Sequence, residues 1–178
     1  TSMSVAATDL TIATYNVKNY VAANRMIPDG YRKAYPKPEA AKQALRNVIR
    51  RLNADVLFLQ EMGSAPYLDE LIRDLKAEGL NYPHAFIAEG ADKDRHVAIL
   101  SREPLVSVQT HADLTFKYFD GVETVKRGLL EATIATPDGD VTLWSLHLKS
   151  RYTDRKDDPD SIKRRAGEAM AIRKFILK

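Results

Sequence analysis

The chain contains no cysteine. That excludes disulfides, thiolate metal sites and cysteine nucleophiles, and it leaves the redox compartment open. No apolar run approaches the length of a membrane span, and no signal-peptide core follows Met3, so a cytoplasmic location is the expectation. Glycine is sparse, at 8 of 178 residues, and the glycine-rich patterns that cradle dinucleotides and nucleoside triphosphates are missing. There is no short-period repeat, no low-complexity tract and no interdomain linker. Residues 1–178 therefore read as a single domain, long enough to bury a core.

With 44% apolar and 29% charged residues, the chain has the composition of a globular protein, without long disorder. Its net charge of +3 is unevenly spread. Residues 149–178 hold 10 Lys/Arg against 5 Asp/Glu, a net of +5, whereas the preceding residues hold 17 against 19, a net of −2. A local basic excess suits either a phosphate-facing surface or a solvated helix face.

The pattern predicts a strand over 10–17 and polar, turn-rich chain over 18–38. A helix follows Pro38, with Ala41, Ala44, Leu45, Val48, Ile49 and Leu52 on its apolar face and Lys42, Arg46 and Arg50 opposite. Val56 to Leu59 is too short for a helix and too continuously apolar for a half-wet strand, so it reads as a central strand covered on both faces. Leu68, Leu71, Ile72 and Leu75 mark a second helix stopped by Gly79. Strands are predicted over 82–88, 97–101 and 105–110, then a loop over 111–127 carrying Phe116, Tyr118 and Phe119. A hairpin of 129–135 and 141–148 turns at Pro137-Asp138-Gly139. After an irregular charged stretch, a last helix over 159–177 has Ile162, Ala166, Ala169, Ile172 and Ile176 as its apolar stripe. Strand–helix–strand followed by hairpins indicates an α/β domain with mixed sheets.

Candidate chemistry collects at strand ends. Asn16 and Glu61 close two strands that flank one crossover helix; side by side, they converge within reach of one small ion. Taken alone, Glu61 is equally a solvated strand terminus. A carboxylate beside an amide oxygen suits a hard cation such as Mg²⁺, whereas zinc would need more nitrogen or sulfur. His147 lies near a strand end on the same face as Val141, Leu143 and Ser145, and reads as either a satisfied core histidine or a proton donor. Lys149 projects to the same side, Arg127 precedes the neighbouring strand, and Arg151 and Tyr152 extend a basic rim; Arg127, Lys149 and Arg151 are the candidate phosphate-binding residues. His96 has some claim to the site, while His84 and His111 read as structural or solvated.

Four segments in order, Thr14-Tyr15-Asn16-Val17-Lys18-Asn19, Asp55 to Glu61, Val97 to Arg102 and Ser145-Leu146-His147-Leu148-Lys149, make the chain similar to the endonuclease/exonuclease/phosphatase family with its deoxyribonuclease I-like fold. The resemblance spans about residues 10–177. It implies the N-terminal part of a four-layer α/β/β/α sandwich that hydrolyses phosphoesters with Mg²⁺ or Mn²⁺. Glu61 would be the metal-binding Glu, Asn16 the phosphate- and metal-orienting Asn, and His147 the first catalytic His, with a weaker carry-over for Arg127 and Lys149. The family pattern continues with a Gly-Asp-Phe-Asn-type strand end and a Ser-Asp-His segment, which these 178 residues lack. The expectation is thus an incomplete domain, inactive alone, completed by a C-terminal segment or a second chain. Nucleic acid is the first substrate class expected. Phospholipid, phosphoinositide or small phosphoester hydrolysis comes next, with Phe116, Tyr118 and Phe119 available as an apolar rim. A non-catalytic binding module of the same fold is the third reading.

Overall fold

A computed structural model describes residues 9–178; the reading around Met3 lies outside them. Strand β1 (Ile12–Tyr20) leads into a two-stranded hairpin, β2 (Ala23–Ile27) and β3 (Gly30–Tyr35), then helix α1 (Glu39–Leu52), strand β4 (Val56–Met62) and helix α2 (Ala65–Ala77). Next come β5 (His84–Ala88), β6 (His96–Ser101), β7 (Leu105–His111), a second small hairpin of β8 (Thr115–Tyr118) and β9 (Gly121–Thr124), β10 (Leu129–Thr136) and β11 (Gly139–Leu146). A single 3-10 turn, Pro159–Ser161, precedes α3 (Ile162–Ile176).

Two sheets result, ordered β1-β4-β6-β5 and β11-β10-β7. β1 and β4 are parallel, with α1 as the crossover, and the remaining pairs are antiparallel. Alternation along each strand builds three apolar layers. Leu57 and Leu59 face Leu45 and Ile49 of α1 and Leu68, Leu71 and Leu75 of α2. Their neighbours Val56 and Phe58 turn the other way and meet Leu130, Ala132 and Ile134 of the second sheet. On that sheet's far side, Leu129 and Trp144 pack with Phe116, Tyr118, Ile172 and Phe175. Helices, sheet, sheet, helix: the architecture is a four-layer α/β/β/α sandwich, as expected. Among the described residues, no strand pairs with the outer edge of β1 or of β11, and no helix is long and apolar enough to cross a membrane.

Three local expectations are corrected, and the charged face of α1 gains partners that the sequence had left open. The polar stretch 18–38 folds into the β2–β3 hairpin, whose strands bury no continuous face and so show no periodic signal. The loop at 111–127 contains the β8–β9 hairpin, and Phe116 and Tyr118 are buried in it rather than presented as an apolar rim. The charged face of α1 is not solvated. Arg46 is buried and pairs with Glu39 (2.9 Å), Glu78 (2.7 Å) and Asp74 (3.4 Å), while Lys42 reaches Glu70 at 2.6 Å, so the two helices are bound by ions as well as by leucines. The stripe assigned to α3 is rotated: Ile162 and Ile176 are exposed, and Glu168, Ile172 and Phe175 point inward instead.

Replacing Arg46 with Ala should cost roughly 2–3 kcal/mol in urea unfolding, because the guanidinium is buried and three carboxylates lose their partner. A loss under about 0.5 kcal/mol would place this network with ordinary surface pairs.

Candidate active site

Glu61 stands where β4 leaves the regular sheet. Its φ is +61°, and Lys18 and Asn19 opposite have φ of +49° and +55°. The register of β1 against β4 shifts between Asn16 and Tyr20, and that of β4 against β6 between Gln60 and Met62. Three non-glycine residues in left-handed backbone at one strand end are a costly arrangement that the surroundings must enforce. Hydrogen bonds do so: the Asn16 side-chain amide donates to Glu61 Oε1 (3.0 Å), the Asn19 backbone N–H donates to Glu61 Oε2 (2.9 Å), and the Lys18 N–H donates to Asn16 Oδ1 (2.8 Å). The carboxylate is thereby fixed in orientation while remaining half-exposed.

His147 follows β11 in the other sheet, and its Nε2 lies 3.9 Å from Glu61 Oε1. Ser145 is buried on the same face, while Trp144 packs toward α3, so the alternation read from sequence holds. Burial, reinforced by the Arg127 charge, pushes the His147 pKa below its ordinary 6.5 against the pull of Glu61 and Asp92. The imidazole is therefore neutral near pH 7, with a ring N–H to donate.

A chain of contacts joins the two sheets behind this pair. Arg127 is buried and pairs with the equally buried Asp92 at 3.0 Å, and it donates to the Leu148 carbonyl at 3.4 Å. Asp92 Oδ1 accepts the N–H groups of Asp94 (3.1 Å) and Arg95 (3.3 Å). Arg95 Nε in turn donates to Asn19 Oδ1 at 2.6 Å, which returns the chain to Glu61. Burial pushes the Asp92 carboxyl up, but the two amides and the Arg127 guanidinium outweigh it and hold the group below its ordinary 3.8. The approach of the Asp92 loop requires Gly90, where a Cβ would lie 2.9 Å from the Arg127 carbonyl carbon.

Glu61, His147, Arg127 and Lys149 line one cavity of about 610 Å³, which extends past Lys126 to Tyr152 and Arg155. Asn16 touches it only through Glu61. Arg151 does not line it. The Lys149 ammonium donates to the Ser150 carbonyl (3.2 Å) and to the Tyr152 carbonyl, so it braces the loop as well as charging the wall. His96 is withdrawn from the site: Nδ1 and Nε2 lie 3.2 Å and 3.3 Å from the carbonyls of Ala88 and Lys93. His111 bonds Glu131 at 2.6 Å under Phe175. The basic excess of the C-terminal segment is partly neutralised, with Arg155 on Asp157 and Arg164 on Glu123.

Sequence reasoning missed Asn19, Asp92 and Arg95. Asn19, three residues after Asn16, was within reach of inspection; Asp92 and Arg95 lie between two predicted strands in a segment that carries no periodic signal.

The donor set at Glu61 is all oxygen, and no group of three His, Cys, Asp or Glu side chains that could hold a metal occurs among the described residues. The Asn16 amide turns its NH2 to Glu61 and its oxygen to the Lys18 N–H, so the carboxylate is the protein's oxygen donor here, which fits a hard divalent ion that keeps several waters and takes substrate phosphate for its remaining positions. Two buried nitrogens of this site, His147 Nδ1 and Arg127 Nε, have no partner among the described residues.

The endonuclease/exonuclease/phosphatase family model matches residues 13–161. The chain belongs to this family. The family comprises hydrolases of phosphoester bonds that usually use divalent metal ions. No curated protein sequence matches the chain. Solved structures do: the beta-hairpin deletion mutant of beta toxin from Staphylococcus aureus has a TM-score of 0.60 at 19% identity, covering 95% of this chain and 61% of that one. SmcL gives 0.61 at 19% identity, covering 94% and 57%. An endonuclease/exonuclease/phosphatase family protein from Leptotrichia buccalis C-1013-b gives 0.56 at 13% identity, covering 96% and 61%. At these identities the likeness concerns the fold, and the chain spans about 60% of the length of the structures it resembles.

Replacing Asp92 with Asn should destabilise the protein by roughly 3 kcal/mol, because Arg127 would keep its charge in a buried place without a counter-ion. The Asp92 contribution is complete above the unfolded-state carboxyl value near 3.8 and is lost as pH falls through the depressed folded-state value. Denaturant unfolding of both proteins should therefore show the gap narrowing only below about pH 4.

Proposed function

We propose that the chain is the metal- and phosphate-holding part of a metal-dependent phosphoester hydrolase whose first substrate class is nucleic acid. The observation that carries this reading is the pairing across two sheets of a clasped carboxylate, Glu61, with a neutral histidine, His147, at 3.9 Å. Glu61 would hold Mg²⁺ or Mn²⁺, and Asn16 would act on the ion through Glu61, since its NH2 faces that carboxylate and its oxygen takes the Lys18 N–H. When bound, that ion supplies Lewis-acid polarisation of a phosphoryl oxygen and offsets charge on the leaving oxygen. Asn16 and Asn19 keep the carboxylate aimed, so no reorganisation is needed as charge develops. His147, neutral, donates a hydrogen bond to a phosphoryl oxygen, and Lys149, Lys126 and Arg127 keep the wall positive.

The group that activates water is assigned to a complementing segment, C-terminal or on a second chain. Support comes from the open outer edges of β1 and β11 and from the greater length of the structures the chain resembles. The chain alone is then inactive or nearly so. Nucleic acid is ranked ahead of phospholipid because, of the three aromatic residues offered as a lipid-facing rim, Phe116 and Tyr118 are core and Phe119 packs against that core with Arg155 and Lys163 over its ring.

In the complemented protein, Glu61→Gln should lower Mg²⁺-dependent turnover roughly 10³-fold, the several kcal/mol that a positioned metal supplies, with the fold intact by circular dichroism. Undiminished activity would overturn the assignment. A panel of single-stranded DNA, RNA, phospholipid vesicles and nucleotides decides the class. Nucleic-acid binding should weaken steeply with salt, with a log–log slope of about −0.7 per phosphate contacted. Flat salt dependence with cleavage of vesicles would move the substrate to lipid.

A further inference from the structure

Glu168 sits on α3, in the outermost layer, yet it is only 1% exposed. Both carboxylate oxygens are spent on backbone amides from two different segments. Oε1 accepts the Lys126 N–H at 3.2 Å and Oε2 accepts the Lys149 N–H at 2.6 Å. Among the described residues, no cationic side chain lies within ion-pair distance of it. A buried carboxylate with no ionic partner is expensive unless charge-assisted hydrogen bonds satisfy it, and these two do.

The two amides flank the site. Lys126 precedes Arg127, and Lys149 follows His147 by two residues. Gly128, with φ of +66°, turns the first segment into β10, and a Cβ there would meet the His111 carbonyl oxygen at 3.2 Å, so that segment has little slack. The second has more freedom, because β11 is an edge strand that stops at Leu146 and His147 lies beyond its last ladder partner. A single helix-borne carboxylate gripping both segments sets their separation. It thereby sets where His147 and Arg127 stand relative to Glu61 on the other sheet.

We propose that Glu168 is a positioning residue for the phosphate-facing wall of this site: it holds His147 and Arg127 in place through the Lys149 and Lys126 amides, whereas the metal-facing wall, clasped by Asn16 and Asn19, makes no bond to it and is reached only through the Arg127–Asp92–Arg95–Asn19 chain. The inference rests on the hydrolase reading, and its test separates the two. The test uses the complemented protein with Mn²⁺ and inorganic phosphate as probes, comparing wild type, Glu168→Ala, Glu168→Gln, and Ile172→Val as a core change on the same helix.

In Glu168→Ala, amide exchange at Lys126 and Lys149 should accelerate by about tenfold or more, as each donor loses a charge-assisted acceptor. Mn²⁺ affinity should stay within about threefold of wild type, while phosphate affinity of the Mn²⁺-loaded protein falls about tenfold or more, the loss that misplaced binding groups produce. Glu168→Gln keeps one acceptor oxygen and should fall between the two. Ile172→Val should lower stability without changing phosphate affinity. Unchanged exchange in Glu168→Ala, or an equal loss of phosphate affinity in Ile172→Val, would overturn the positioning role. Failure of wild type to bind Mn²⁺ and phosphate would instead overturn the hydrolase reading, and the role proposed for Glu168 with it.

Discussion

The site depends on one buried ion pair that crosses from sheet to sheet. Asp92 belongs to the loop joining β5 and β6 in the first sheet, and Arg127 leads into β10 in the second. The apolar layer of Val56, Phe58, Leu130 and Ile134 presses the sheets together, but apolar contact is non-directional and leaves their relative register soft. The Asp92–Arg127 pair is directional. It fixes the end of the sandwich where Glu61 and His147 meet, and through Arg95 and Asn19 it reaches the Glu61 clasp itself. Hydrophobic burial makes the sandwich, and this polar chain makes one end of it a site.

That division explains what could be read from sequence. The strand Val56–Met62, both of its flanking helices and the β10–β11 hairpin were legible, because burial on one or two faces writes a period into the residue order. Of the strand-end residues singled out from sequence, Glu61 and His147 are brought together, whereas Asn16 lies within β1, at the last regular pair before its register shifts against β4. The burial of Arg46 was not legible, because only the docking of α2 supplies Glu78 and Asp74. Asp92 and Glu168 left no local trace at all. Their roles are set by partners distant in sequence, Arg127 for Asp92 and both Lys126 and Lys149 for Glu168, and a carboxylate that accepts backbone amides has no partner side chain to seek.

The α3 stripe shows the same limit from the other side. Periodicity offered Ile162, Ala166, Ala169, Ile172 and Ile176, yet the helix turns Glu168 and Phe175 inward and leaves Ile162 and Ile176 exposed. Two orphan amides at the site end compete with burial of two isoleucines, each worth about 1.5–3 kcal/mol when fully covered. Unsatisfied buried amides and a displaced site wall are the alternative, at about 1–3 kcal/mol for each lost bond. Ile176 then lies beside Leu146 at the open edge of β11, where Leu146, Ile172, Ile176 and Leu177 line an apolar groove. The rotation that secures the phosphate wall is also what leaves that groove uncovered.

Backbone strain follows the same geography. Left-handed Lys18, Asn19 and Glu61 cluster where the β1–β4 ladder loses register, and the hydrogen bonds that enforce them converge on the Glu61 carboxylate. Strain of this kind, of order 1–3 kcal/mol per residue, persists only where the surroundings over-determine it. Here the surroundings are Asn16, Asn19, Arg95 and Asp92, the same residues that connect Glu61 to the second sheet. A relaxed strand end would carry the carboxylate along the regular pleat, parallel to Leu59 and away from His147. The irregular one turns it to the gap between the sheets, so the energy stored at Glu61 is the physical counterpart of its 3.9 Å approach to the histidine.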